Sequence, residues 1–137
     1  MLIHSADKLI EMQTIYVLDF DADIAFALCK WFNVHGVEAK GFSTLEQLLN
    51  QLSTCHPDCI ILDSLFGRTS LTVDICNTIK QISNYSGTIL LTSTTNLSAK
   101  DLQACSATGF IAKPFELLTV LDVVKQPYKK IAAIRAA

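Results

Sequence analysis

Five short runs of β-branched and other apolar residues alternate with stretches of helical periodicity, and this alternation restricts the fold more than any other feature. The runs are Thr14 to Leu18, Val37 to Ala39, Cys59 to Leu62, Thr88 to Leu91 and Gly109 to Ala112. The third and fourth are almost wholly apolar, which indicates burial on both faces and is typical of a parallel sheet covered by helices. We therefore predict a doubly wound α/β fold, a five-stranded parallel sheet in the order 2-1-3-4-5 with two helices on one face and three on the other.

The first two helical segments have recognisable ends. Asp23 is expected to begin the first helix and Gly36 to end it. Ser43 to Glu46 has the spacing of a capping box, which predicts the start of the second helix. Their predicted apolar faces are Ile24, Leu28 and Trp31 in the first helix and Leu45, Leu48, Leu49 and Leu52 in the second.

The last three helices differ in the apolar surface that they carry. Ser98 and Asp101 have capping-box spacing and predict a short, polar fourth helix. The fifth, from Pro114 to about Lys125, is apolar over more than half of its surface, so we expect Val120 and Val123 to face outward toward a partner. The third helix is predicted from the stripe Leu71, Ile75, Ile79 and Ile82.

The length of 137 residues is usual for one domain. We expect an N-terminal extension over residues 1–13, the domain over 14–125 and a short basic tail over 126–137. Eleven basic and 13 acidic residues give a net charge of -2, so no nucleic-acid partner is expected. With neither a membrane-spanning apolar run nor a recognisable signal peptide, a cytoplasmic location is the expectation.

The five cysteines are an odd number and include no Cys-x-x-Cys pair, which favours reduced thiols. Cys55, His56 and Cys59 form the one local cluster of metal-binding residue types. We do not expect a zinc site there, because no second ligand pair follows at the appropriate spacing.

Polar residues follow four of the predicted strands, namely Asp19, Asp63, Thr92 and Lys113. In a parallel sheet the carboxyl ends of the strands meet at one edge, where ligands bind. Two carboxylates placed close together repel each other unless a cation lies between them, and Mg²⁺ prefers such oxygen ligands. A lysine and a hydroxyl opposite them can bind phosphoryl oxygens, so the set predicts a carboxylate that accepts a phosphoryl group.

Four segments resemble the receiver domain of two-component response regulators, a flavodoxin-like fold, over about residues 14–125. The segments are Ile15 to Asp19, Pro57 to Asp63, Ile89 to Ser93 and Phe110 to Phe115. Order, spacing and position at a strand end agree for all four.

The resemblance implies a role for each matching residue. Asp63 would be the phosphoacceptor, and Asp19, Asp63 and the backbone carbonyl of Leu65 would hold Mg²⁺. Thr92 and Lys113 would bind the phosphoryl group. Phe110 would be the switch aromatic, and the bond between Lys113 and Pro114 is expected to be cis.

The chain departs from the family pattern next to the first acid. The family usually has two adjacent acids there, whereas Asp19 is followed by Phe20, and Asp21 lies one residue further on. We therefore expect weak Mg²⁺ binding, with Asp21 as a candidate substitute ligand. The loop after the third strand also differs, with Gly67 in place of the usual proline and Leu71 in place of the usual glycine.

The function implied is that of a stand-alone response regulator receiver domain, which is not an enzyme. It would accept a phosphoryl group from a histidine kinase or phosphotransfer protein in a phosphorelay. Its output would be binding to a downstream protein, or homodimerisation, through the fourth helix, fifth strand and fifth helix, with no membrane partner.

The same residues bear on three alternative functions. Phe20 makes a phosphorylation-independent pseudo-receiver an open alternative. Asp19 and Asp21 also resemble the start of haloacid-dehalogenase-type phosphatases, as nucleophile and general acid, but the acidic pair needed after the lysine is missing because only Glu116 and Asp122 follow. A flavin-binding module is disfavoured, since the hydroxyl-rich stretch follows the fourth strand and not the first.

Overall fold

The computed structural model describes residues 13–64 and 69–124, in which five strands and five helices alternate. The strands are β1 (Thr14–Leu18), β2 (Glu38–Phe42), β3 (Cys59–Asp63), β4 (Thr88–Ser93) and β5 (Gly109–Ala112). The helices are α1 (Ala22–Val34), α2 (Leu45–Leu52), α3 (Thr69–Ser83), α4 (Ala99–Ala104) and α5 (Leu117–Val124). The strands pair in parallel in the order β2-β1-β3-β4-β5, which confirms the predicted flavodoxin-like sheet.

Alternate residues of each central strand point into two separate hydrophobic cores, because successive side chains of a strand face opposite ways. In β1, for example, Val17 belongs to the first core and Tyr16 to the second. The first core joins the sheet to α1 and α5, and the second joins it to α2, α3 and α4. The predicted arrangement of two helices on one face and three on the other is confirmed.

The N-cap of helix α1 lies two residues before the predicted one. Asp21 has extended backbone angles, and its Oδ1 accepts from the backbone N–H groups of Asp23 at 3.0 Å and Ile24 at 3.4 Å. The N-cap is therefore Asp21 and not Asp23, because the capping carboxylate must precede the N–H groups that it satisfies. Gly36 ends the helix as predicted, with a φ of 83° that favours glycine.

Helix α2 is also capped one residue away from the predicted position. The hydroxyl of Thr44 accepts from the N–H of Gln47 at 3.2 Å, and the Gln47 side chain accepts in turn from the N–H of Ser43 at 3.1 Å. Ser43 is therefore not the N-cap. At α4 the predicted capping box is confirmed, with both hydrogen bonds between Ser98 and Asp101 present.

The buried faces of α1 and α3 differ from their predicted apolar stripes. In α1 the buried residues are Ala25, Leu28, Cys29 and Phe32, whereas Ile24 is exposed. In α3 Leu71 and Ile82 are exposed, while Thr72, Cys76 and Ile79 are buried. The rotation of each helix follows its packing against the sheet and neighbouring helices, which apolar spacing alone does not fix.

The prediction that α5 has an apolar outer side at Val120 and Val123 is wrong. Val120 and Val123 are 1% and 7% exposed, and both belong to the first core together with residues of α1. The wide apolar face is thus covered by the sheet and by α1 together, so it is not an outward surface. Leu118, at 65% exposed, is the large apolar side chain that this helix presents to solvent.

Most of the other predicted boundaries are correct to within a few residues. β1 and β5 match the prediction, β2 extends to Phe42 where Ala39 was expected, and α5 begins at Leu117 where Pro114 was expected. Residues 1–12 of the predicted extension and the whole of the 126–137 tail lie outside the described residues. Within 13–64 and 69–124, none of the helices combines the length and apolarity needed to cross a bilayer.

Candidate functional site

The carboxyl edge of the sheet brings together all four polar residues that follow the strands. Asp19 comes directly after β1, and Asp63 is the last residue of β3. Thr92 lies beside Asp63 in β4 as its register partner, and Lys113 follows β5. Because the strands are parallel and in register, four distant segments of the chain meet at one site.

Lys113 lies between the two aspartates. Its Nζ donates to Oδ2 of Asp19 at 3.0 Å and is 3.6 Å from Oδ1 of Asp63. The three side chains are largely removed from solvent, with exposed fractions of 17% for Lys113, 5% for Asp19 and 14% for Asp63. The ammonium therefore offsets the repulsion between two carboxylates that share a partly buried site.

Backbone hydrogen bonds from neighbouring strands hold the site residues in place. The N–H of Asp19 donates to the carbonyl of Phe42 at 3.1 Å, and the N–H of Lys113 donates to the carbonyl of Ser93 at 2.7 Å. The carbonyl of Thr92 accepts from the N–H of Ser64, the residue after Asp63, at 2.8 Å. These backbone hydrogen bonds to adjacent segments therefore fix the positions from which the functional side chains extend.

The residues after Asp19 are not arranged as an acidic pair. Oδ1 of Asp19 accepts from the N–H of Asp21 at 2.9 Å, while its Oδ2 receives Lys113. The carboxylate of Asp21 is occupied as the cap of α1, and Phe20 is 39% exposed. Asp21 therefore does not take the place of the missing acid in this structure.

Mg²⁺ would be held at this site by the carboxylates of Asp19 and Asp63, since it prefers hard oxygen ligands. Among the described residues, no group of three or more His, Cys, Asp or Glu side chains could hold a metal. Leu65, the third predicted ligand, lies outside the described residues, as does Gly67. Asp19 and Asp63 alone are the two-carboxylate set that Mg²⁺ uses when water and phosphoryl oxygens complete its coordination.

The cysteines and histidine of the local cluster lie in different surroundings. Cys59 is buried in the first core, and burial raises the pKa of its thiol to about 12. Cys55 is exposed, and the ring of His56 lies edge-on to Tyr85 at 5.6 Å.

Thr92 and Phe110 are both buried. Thr92 is 3% exposed at the site, and Phe110 is 1% exposed in the second core. The neighbouring hydroxyl of Ser93 lies 3.1 Å from that of Thr95 and accepts from the Thr95 N–H at 3.0 Å, so it serves the local turn. Thr92 is therefore the hydroxyl of this stretch that stands beside Asp63. The peptide bond between Lys113 and Pro114 is cis, as predicted.

Sequence reasoning did not identify Ser64 and Thr72 as part of the site's support. The hydroxyl of Thr72 donates to the carbonyl of Ser64 at 2.9 Å, which ties α3 to the end of β3. The hydroxyl of Ser64 is buried and has no hydrogen-bond partner among the described residues. The available signal was the position of a small polar residue directly after the acid that ends a buried strand.

Solved structures similar to this chain are response regulator receiver domains. The chemotaxis response regulator CheY4 of Vibrio cholerae is 22% identical with a TM-score of 0.68, over 82% of this chain and 98% of that chain. The BeF3-activated DrrB receiver domain is 25% identical with a TM-score of 0.67, over 84% and 96%. A response regulator from Thermotoga maritima is 20% identical with a TM-score of 0.69, over 84% and 96%.

These similarities establish that the chain has the fold of a receiver domain. No protein-family model matches the sequence, and no curated protein matches it in a sequence comparison. At this level of identity the structural likeness describes the fold, so the chemistry of the site rests on its own residues.

Proposed function

We propose that the chain is a receiver module of a two-component system that accepts a phosphoryl group on Asp63 and signals by protein–protein interaction. One observation carries the proposal: the ammonium of Lys113 lies between Asp19 and Asp63, at 3.0 and 3.6 Å, at the carboxyl edge of the sheet. Thr92 stands beside Asp63 in the sheet register. The fold shared with solved receiver domains supports the same role.

In the proposed reaction a carboxylate oxygen of Asp63 attacks the phosphorus of a phosphohistidine on a histidine kinase or phosphotransfer protein. The new oxygen–phosphorus bond forms as the phosphorus–nitrogen bond breaks, and the electron pair stays with the imidazole. Lys113 binds one phosphoryl oxygen through its ammonium, and the Thr92 hydroxyl donates to another. Mg²⁺, when held by Asp19 and Asp63, would neutralise charge on the phosphoryl oxygens.

The product is an acyl phosphate on the protein itself, so the module is a phosphoryl acceptor and not an enzyme with a separate substrate. Output would follow from a shift between two conformations, in which contacts from Thr92 to the phosphoryl group bias the position of Phe110. The proposed output surface comprises α4, β5 and α5, with Leu118 as the exposed apolar residue of α5. The partners, a histidine kinase and a downstream protein or second copy, are those of a cytoplasmic module.

Phosphoryl transfer from a radiolabelled phosphotransfer protein tests the proposal. We expect the label on the wild-type chain and none on Asp63→Asn. Asp58→Asn is the matched control, because Asp58 accepts from the N–H of Thr14 at the opposite end of the sheet. Label that persists in Asp63→Asn would contradict the assignment of the acceptor.

A phosphorylation-independent interaction module is the second candidate, and specific contacts favour it. Phe20 stands where a second acid is usual, Asp21 caps α1, and both oxygens of Asp19 accept hydrogen bonds from the protein. In such a module the ion pair with Lys113 would hold the unmodified site closed. The absence of transfer from any phosphohistidine donor would favour this candidate.

The phosphatase alternative is disfavoured by the position of Asp21. A general acid must reach the reacting group, whereas the Asp21 carboxylate accepts from two N–H groups at the start of α1. Continuous release of phosphate from small phosphomonoesters would favour the phosphatase alternative.

A further inference from the structure

A groove of about 590 Å³ runs between α1 and β2, the edge strand of the sheet. Its apolar lining consists mainly of Ala22, Ala25, Phe26, Cys29, Val34 and Ala39. Phe26 and Val34 are 68% and 75% exposed, although both are large apolar residues. The volume lies within the range of small-molecule sites in proteins, which are mostly apolar with a few polar groups.

The floor of the groove depends on Gly41. A Cβ at this position would lie 3.2 Å from the carbonyl oxygen of Ala25 and 3.2 Å from the Sγ of Cys29. Glycine therefore allows the backbone of α1 to approach β2 closely. Phe26 and Val34 both line the groove beside this contact.

The free edge of β2 is already partly hydrogen-bonded by side chains. Oδ1 of Asn33 accepts from the N–H of Ala39 at 2.8 Å, and Nδ2 of Asn33 donates to the carbonyl of Ala39 at 3.4 Å. The N–H of Ser43 donates to the Gln47 side chain at 3.1 Å. An extended peptide that adds to the sheet needs these backbone groups. An occupant that uses the groove's side chains fits better than an added strand.

The charge on the lining of the groove indicates which kind of ligand fits it. Of the residues that line the groove, Lys30 alone carries a charge. It lies four residues from both Phe26 and Val34, so the three residues share one face of α1 with Lys30 in the middle. A single positive group within an apolar groove is complementary to a ligand with one negative group on an apolar body.

We propose that this groove binds an amphipathic carboxylate, with its aliphatic or aromatic body along Phe26 and Val34 and its carboxylate at Lys30. The site lies outside the cluster of Asp19, Asp63 and Lys113. The proposal does not depend on phosphoryl transfer, so the two can fail separately.

Decanoate, titrated as a monomer against the full isotope-labelled chain, is the probe. We expect its saturable binding to shift the backbone NMR signals of Phe26, Ala39 and Gly41. Lys30→Met should weaken decanoate binding roughly fivefold, as expected for loss of one exposed charge pair. Lys40→Met is the matched control, since exposed Lys40 lies on the same edge strand but does not line the groove.

Neutral decanol tests the apolar part of the site without the charge of Lys30. Its affinity should be the same for wild type and Lys30→Met. Shifts that fall elsewhere, or equal losses of decanoate affinity in Lys30→Met and Lys40→Met, would overturn the proposal. Self-association that Phe26→Ser abolishes would overturn it as well, since the groove would then be an interface with a second copy. Phe26 is exposed, so this variant is expected to fold.

Discussion

The ammonium of Lys113 lies closer to Asp19 than to Asp63, at 3.0 Å against 3.6 Å. Asp19 is the more deeply buried of the two carboxylates, at 5% exposure of its side chain against 14%. Its charge is therefore the more costly to leave unpaired. In the unmodified protein the lysine serves mainly to hold Asp19, and phosphorylation of Asp63 would draw it toward the new phosphoryl oxygens.

Lys113→Met should destabilise the fold through Asp19. We expect the free energy of unfolding to fall by about 2 kcal/mol, because the variant leaves a nearly buried carboxylate without its cation. Asp19→Asn should lower the free energy of unfolding much less in the Lys113→Met background than in the wild type. Urea unfolding of the four proteins of this double-mutant cycle measures the coupling. Strictly additive losses would show that the ion pair contributes nothing to stability.

Asp21 should behave as a helix cap and not as a metal ligand. Asp21→Ala should lower the free energy of unfolding by about 1 kcal/mol, since the N–H groups of Asp23 and Ile24 lose their acceptor. Asp21→Ser should retain most of the stability, because a hydroxyl also caps. Asp23→Ala removes the same charge from the same turn without removing the cap, and thermal unfolding should show a smaller loss. Equal losses in the two alanine variants would refute the capping role.

The buried thiol of Cys59 should make the fold sensitive to alkali. Burial raises its pKa from 9.0 to about 12, so the folded state favours the protonated thiol. A pKa raised on folding contributes stability that is complete below the unfolded pKa and is lost as the pH rises toward the folded pKa. Between about pH 9 and pH 11 the free energy of unfolding should fall more steeply in the wild type than in Cys59→Ala, by about 2 kcal/mol.

Cys55→Ala is the control for this comparison, because Cys55 is exposed. Chemical unfolding of the three proteins at several pH values gives the alkaline slopes to be compared. Parallel slopes in Cys59→Ala and the wild type would show that this thiol does not carry the alkaline sensitivity.

Strand order and the placement of helices on both faces of the sheet could be predicted because they depend on the order and period of apolar runs. The central runs are buried on both faces, and parallel connections leave few arrangements. Helix rotation could not be predicted in the same way. Val120 and Val123 of α5 were expected to face outward, but both are buried in the first core with residues of α1. The contact between α1 and α5 joins elements that are distant in sequence. The apolar periodicity of α5 alone does not predict it.

The positions of the site residues were predictable because each comes directly after an apolar run of the sequence. Asp19, Asp63, Thr92 and Lys113 are placed by the sheet, so the spacing of the runs was sufficient. The local use of Asp21 was not predictable, since both Asp21 and Asp23 could cap α1 and only backbone geometry selects one. Ser64 was missed because a small polar residue after a strand is also what begins an ordinary turn.

The central claim is that Asp63 accepts a phosphoryl group in a site weakened by Phe20. Mass spectrometry of the intact chain, incubated with acetyl phosphate over a range of Mg²⁺ concentrations, tests it most directly. We expect one phosphoryl group, located on Asp63 and absent from Asp63→Asn. Phe20→Asp should reach the same extent at lower Mg²⁺, because it restores the second acid beside Asp19. No acyl phosphate at high Mg²⁺ in either the wild type or Phe20→Asp would contradict the account, as would modification of Asp19.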